Sequence, residues 1–184
     1  MGKKLTIDRS DAVLAVIDCQ EKMIPIMRHH DELVENCVKC VKGAKALGLP
    51  IIVAQENTKA LGGTVKPIAD AIGEYTPVDK DLFDATQQPE FMAQIQASGK
   101  KTVIMIGIQA HICLMLTALS LKARGYDVYV ATDCIGSRYK SDRKEAERRM
   151  IGAGITMTTC EMALFEMVEK GSAPEFVELN KIVK

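Results

Sequence analysis

A thiol, a carboxylate and an amine stand in this chain where an α/β protein gathers its reactive groups. Cys113 follows the apolar run 102–106 and the turn glycine Gly107, about one turn into a helix expected from Ala110. Cysteine attacks as the thiolate, so its site must take up the proton or lower the pKa. An early helical position helps, because the helix dipole favours an anion and backbone N–H groups are unpaired there. Asp18 closes the apolar run 12–17, and Lys80 follows a short extended segment at 76–78. A carboxylate alone would raise a neighbouring thiol's pKa, and an ammonium alone would accept no proton. Together they take the proton and offset the charge. Each residue also has an ordinary reading: Asp18 as a turn or helix cap, Lys80 as a solvated lysine in Asp79-Lys80-Asp81, Cys113 as a small buried helix residue.

The elements that must position these groups follow from hydrophobic periodicity. Short apolar runs predict strands at 12–17, 49–54, 76–78, 102–106, 127–131 and 155–158. Helical spacing predicts helices over 33–44, stopped by Gly48 and Pro50, and from Pro89 to near Gly99. Further helices are expected over 110–124, closed by Gly125, and over 142–152, with Asp142 and Glu145 at capping-box spacing. A helix over 161–170, ended by Gly171, precedes a short C-terminal helix opened by Pro174. Residues 55–75 carry Gly62, Gly63, Gly73 and Pro67 with little periodicity, and read as a long functional loop. About six alternations of strand and helix predict a three-layer α/β/α, doubly wound, Rossmann-like sheet of mostly parallel strands, one domain over 1–184. Such sheets place their sites beyond the carboxyl ends of the strands, which brings 18, 80 and 107–113 to one crevice.

Composition narrows the function classes. Lys plus Arg and Asp plus Glu each number 24, so no basic footprint for nucleic acid exists, and the absence of tryptophan leaves few stacking platforms. No apolar run is long enough for a membrane span. The opening Met1-Gly2-Lys3-Lys4 leads into a polar stretch and not a signal core, so a soluble cytoplasmic protein is expected. There Cys19, Cys37, Cys40, Cys113, Cys134 and Cys160 should be thiols, mostly small buried hydrophobes. Cys37 and Cys40 form a lone C-x-x-C inside a helical pattern, without the second pair a zinc site would need. Asp18-Cys19-Gln20-Glu21 is no G-x-G-x-x-G, so a dinucleotide site is disfavoured.

Val16 through Met23, with Asp18, Gln20 and Met23 in D-x-Q-x-x-[FM] spacing, resembles the opening of the isochorismatase-like cysteine hydrolases. Gly107-Ile108-Gln109-Ala110-His111-Ile112-Cys113 resembles that family's G-[IV]-x-x-x-x-C signature, followed by Thr117-Ala118 and Gly125-Tyr126-Asp127-Val128. Lys80, before Phe83, stands at the family lysine, and Asp133 through Ser137-Arg138 resembles the next strand-end motif. The similarity spans about residues 10–170, and Leu61-Gly62-Gly63-Thr64 points to the compact isochorismatase-domain-containing branch.

The resemblance implies an Asp18–Lys80–Cys113 triad, a cis peptide at Ile108–Gln109, and an oxyanion hole from the backbone N–H groups of Gln109 and Cys113. It implies attack on a small amide-like carbonyl through a thioester, with no cofactor. Related nicotinamidases carry a metal on an aspartate and histidines after the second strand. Here Val53 to Thr58 contains no histidine, and His29 and His30 belong near the first helix, at its end or in its loop, so no metal is expected. True isochorismatases cleave a vinyl ether without a cysteine, so Cys113 favours amide or carbamoyl chemistry. Met23, Gln55, Phe83 and His111 are expected near the substrate, with core packing (Met23, Phe83) and helix capping (His111) as competing roles. A homo-oligomer, dimer or tetramer, is expected from the resemblance and from Phe176, Leu179 and Val183 on one face of the last helix. A binding or scaffolding protein that has lost turnover, and a thiol redox protein, are the competing functions.

Overall fold

Every residue of the strand β1 (Ala12–Ile17) is buried, as a strand covered on both faces requires. Its side chains alternate between two cores: Ala12, Leu14 and Val16 enter one, Val13, Ala15 and Ile17 the other. The structure is a computed structural model, described over residues 5–184; the polar lead at 1–4 lies outside the described residues. The other strands are β2 (Ile51–Glu56), β3 (Val78–Lys80), β4 (Thr102–Ile108), β5 (Asp127–Gly136) and β6 (Thr156–Thr158). They form one six-stranded sheet of order β3-β2-β1-β4-β5-β6. All of its ladders are parallel.

Parallel neighbours need crossovers, and helices supply them on both faces. The core that takes Leu14 and Val16 is covered by α1 (His30–Ala46), α3 (Lys66–Ile72), α7 (Cys160–Val168) and α8 (Pro174–Val183). The opposite core is covered by α4 (Pro89–Ala97), α5 (Met115–Ala123) and α6 (Lys140–Gly152). This is the expected three-layer, doubly wound α/β/α architecture. The chain winds from β1 outward through β2 to β3, then returns to the other side of β1 for β4. That reversal opens a crevice at the carboxyl ends of β1 and β4.

Several local expectations change. Residues 55–75 are not a bare loop: they hold α2 (Thr58–Leu61) and α3. Asn57 caps α2 by accepting from the Ala60 N–H, Pro67 sits in the first turn of α3, and Ile68, Ala71 and Ile72 are buried. The helix expected at 142 starts at Lys140 without a side-chain cap, so no capping box forms; Glu145 pairs with Arg148. His29 and His30 open α1 rather than close it, with His29 at its N-cap. The helix expected from 110 begins as a π turn, Ala110–Leu114, before α5. On α8, Leu179 is fully buried, Phe176 and Val183 pack on the same core, and Phe176 meets Phe165 edge-on. That apolar face serves its own domain, which removes it as an argument for association.

Candidate active site

Immediately after β1 the backbone turns sharply at Asp18, whose φ of 51° is left-handed. Such a conformation costs a non-glycine residue roughly 1–2 kcal/mol. It is held by the Asp18 N–H donating to Ala54 O at 3.0 Å and by Asp18 O accepting from the Gln20 N–H at 2.7 Å. Across the crevice, β4 passes so close to β1 that a Cβ on Gly107 would lie 2.0 Å from Ile17 O, and its φ is +122°. Only glycine meets both conditions. The Ile108–Gln109 peptide that follows is cis, and the chain enters the π turn that carries Cys113.

β3 adds the cation. Its side chains alternate, with Val78 and Lys80 buried and Asp79 exposed. Lys80 Nζ donates to Asp18 Oδ2 at 2.9 Å and to Glu56 Oε2 at 2.6 Å. One acceptor atom each from Asp18, Glu56 and Cys113 lies within 4.8 Å of the others. Asp18, Lys80 and Cys113 thus come together, from β1, β3 and the turn after β4. Asp18 Oδ1, the oxygen not bonded to Lys80, is buried and has no hydrogen-bond partner among the described residues.

Burial sets the electrostatics. It raises the Asp18 carboxyl, and the Lys80 charge is the largest pull against it. Burial also opposes the Lys80 ammonium, but Asp18, Cys113 and Glu56 outweigh it and Lys80 ends above the ordinary lysine range. Burial and then the Asp18 charge push the Cys113 thiol far up, with Lys80 acting against them. The resting site is therefore a thiol beside a bridged ion cluster.

A cavity of about 130 Å³ opens on this cluster, walled by Met23, Leu61, Phe83, Ile108 and Ile112 and floored by Asp18, Gln20, Glu56, Gln109 and Cys113. A family model of the isochorismatase domain matches residues 12–162. This chain belongs to the isochorismatase family. It is 32% identical over 167 residues to isochorismatase domain-containing protein 1 of Salmo salar, covering 91% of this chain and 59% of that protein. The chain thus spans about three-fifths of that relative's length. A solved structure of MAR1 ribonuclease from Caenorhabditis elegans superposes with a TM-score of 0.91 at 31% identity, covering 97% of this chain and 92% of that one. An octameric hydrolase of unknown specificity from Escherichia coli shares the fold, with a TM-score of 0.92 at 23% identity over 99% of this chain and 92% of its own.

Within this isochorismatase domain, Met23 and Phe83 line the cavity as expected of pocket residues, and two others do not. Gln55 points to the opposite side of β2, where its Nε2 donates to Thr64 Oγ1 at 2.8 Å and its Oε1 accepts from Thr58 Oγ1 at 3.0 Å. His111 turns away from the cavity: its Nδ1 meets Ser137 Oγ at 2.9 Å and its Nε2 lies 3.6 Å from Asp142. It ties the start of the π turn to β5 and α6. Burial holds its imidazole below the ordinary pKa.

Two residues take the places those lose. Glu56, one position on from Gln55, faces the cavity and bonds Lys80. Gln20 clamps the end of β2: its Nε2 donates to Glu56 O and Gly62 O at 2.9 and 2.7 Å, and its Oε1 accepts from the Glu56 N–H at 2.8 Å. Gln20 stands in the D-x-Q-x-x-[FM] spacing noted in the sequence, which is where that signal lay. Asp18, Glu56 and Cys113 have donor atoms close enough for a cation, and the Lys80 ammonium already bridges the two carboxylates. A larger cavity of about 460 Å³ lies beside the end of β5, but none of Asp18, Lys80 or Cys113 lines it. The chemistry, and not the volume, selects the smaller one.

Proposed function

We propose that this isochorismatase-family chain is a cysteine hydrolase of small amide-like carbonyl compounds, with Cys113 as nucleophile, Asp18 as general base and Lys80 as charge partner. The observation that carries the reading is the buried Asp18 carboxylate within 4.8 Å of the Cys113 sulfur, with Lys80 bound to its Oδ2 and its Oδ1 left without a partner among the described residues. A buried acceptor without a donor is costly unless the working cycle supplies one. Here the thiol proton moves to Oδ1 as the sulfur–carbon bond forms. The carbonyl oxygen becomes an oxyanion, taken up by the N–H groups of Gln109 and Cys113. Collapse breaks the C–N bond, and Asp18 returns its proton to the leaving nitrogen. Water then gives a proton to Asp18 and attacks the thioester, and Cys113 leaves as the thiol's conjugate base.

Gln109 Oε1 is the other buried acceptor without a partner among the described residues, and Gln109 lines the same cavity. An amide N–H would satisfy it. The cavity's size favours a metabolite of few heavy atoms, and its two carboxylates disfavour an anion. Among the residues that line it there is no lysine, arginine or histidine to receive a phosphodiester, which argues against extending to this chain the ribonuclease activity named for the Caenorhabditis elegans protein. We further propose one functional unit over 1–184 whose hydrolytic site uses no cofactor or metal, a cytoplasmic location in keeping with six free cysteines, and a homo-oligomer. The octameric Escherichia coli neighbour supports association. Sedimentation as a monomer at micromolar concentration would overturn it.

The mechanism is tested by incubating the protein with aldehydes and an amide library and mapping adducts by peptide mass spectrometry. Adducts confined to Cys113, and lost in Asp18→Asn and Lys80→Ala, are expected. Equal labelling of several cysteines, or RNA cleavage that survives Cys113→Ser, overturns the reading.

A further inference from the structure

Five cysteines remain outside the active site, and all five lie in the core beneath α1 and α7, on the face of the sheet away from Cys113. Two of them have ordinary partners: Cys19 donates to Ile17 O at 3.7 Å and Cys37 to Cys134 O at 3.4 Å. The other three do not. Cys40 from α1, Cys134 from β5 and Cys160 from the first turn of α7 bring their sulfurs within 4.8 Å of one another. Each sulfur has the other two as neighbours, and Cys37 also approaches Cys134. Sulfur is a weak donor and a weak acceptor, so such a triangle stabilises a core little. Alanine, used at Ala44, Ala131 and Ala163 in the same core, would fill comparable space.

We propose that Cys40, Cys134 and Cys160 form a three-sulfur binding site for copper(I). Thiolate bonds to late first-row ions are about 2.3 Å long, which places the sulfurs of a trigonal site about 4.0 Å apart, within the observed spacing. Structural zinc takes four ligands, and among the described residues no fourth histidine, cysteine, aspartate or glutamate joins the triangle. Soft sulfur ligands in a dry core suit a soft monovalent ion. The ion would displace two thiol protons, with the third sulfur coordinating as a thiol, leaving one negative charge and no change in oxidation state.

The surroundings fit an entering cation. Cys40 and Cys160 are 3% and 4% exposed and Cys134 is fully covered, so the whole triangle lies within the core. Asp133 Oδ1 accepts from the Cys160 N–H at 2.8 Å, and Asp133 also lines the larger cavity. Filling the site would tie α1, β5 and α7 together, and stability would rise with copper(I) by mass action.

The test is anaerobic titration of the reduced full chain with copper(I) bicinchoninate. Transfer of one equivalent is expected, with a thiolate-to-copper absorption band in the ultraviolet and a raised melting temperature. Cys113→Ser should bind equally. Cys134→Ala and, independently, Cys160→Ser should lose both the transfer and the shift. Failure of transfer to the wild-type chain, retention in both variants, loss in Cys113→Ser, or preference for zinc(II) would each overturn the site. Because Cys113→Ser removes the nucleophile and spares the triangle, the outcome is independent of the proposed hydrolase.

Discussion

Glu56 holds the Lys80 ammonium at 2.6 Å, closer than the 2.9 Å of the Asp18 contact. The cation therefore serves two carboxylates and neutralises neither fully. The excess negative charge falls on Cys113, whose thiol is raised by Asp18 and also by Glu56. Removing the Glu56 charge should free the thiol. Glu56→Gln, which keeps an acceptor for Lys80, is expected to speed Cys113 alkylation by iodoacetamide at neutral pH about 3- to 10-fold, half to one pKa unit. Lys80→Met should slow it. Timed peptide mass spectrometry distinguishes these directions.

Lys80→Ala leaves Asp18 and Glu56 facing each other without a cation. Breaking a buried pair by deleting one partner costs about 3–5 kcal/mol. Asp18, already raised by burial, would then hold its proton more strongly folded than unfolded, so the loss is full at neutral pH and shrinks as pH falls. Urea unfolding at pH 7 and in mild acid should show a variant deficit that narrows on acidification. A deficit independent of pH would mean that packing, and not charge, is what Lys80 supplies.

Cys113 adds a term of its own at high pH. Its folded pKa lies above the ordinary thiol value of 9.0. Below that value the thiol is neutral folded and unfolded, and its contribution is fully present. Above it the unfolded chain ionises first, and stability is lost as pH rises toward the folded pKa. Cys113→Ser should therefore show a shallower fall in urea midpoint than wild type between about pH 8 and 10, the range where a free thiol titrates.

Gly107→Ala tests the crossing of β1 and β4. The added Cβ would meet Ile17 O at 2.0 Å, and that oxygen belongs to the backbone, which cannot rotate away. A loss of about 3 kcal/mol or more is expected from strain and clash together. Thermal unfolding gives the readout. Cys113 adducts should disappear even in the fraction that still folds.

Much of this was legible in the sequence because parallel strands are uniformly apolar. The run 12–17 matches β1 residue for residue, and Asp18, the first polar residue after it, marks the crevice. Lys80 and Cys113 were found by the same strand-end reasoning. Glu56 was missed because β2 was expected to stop at 54; extending it two residues puts Glu56, not Gln55, on the side of Lys80. The helices α2 and α3 were hidden by their length, four and seven residues, too short for periodicity to rise above the glycines around them. His111 has no local cue at all, since its partners Ser137 and Asp142 arrive from later elements.

Three of the five walls, Met23, Leu61 and Phe83, lie outside the strands, on loops or at the end of the short helix α2, whereas the charged floor is fixed to strand ends. In the proposed hydrolase, the residues that shape the cavity are therefore separate from those that would break the bond. Variation at those three positions can reshape what enters without disturbing the ion cluster. For protein engineering they are the natural library, and a lineage of such chains can diversify its diet while inheriting one reaction.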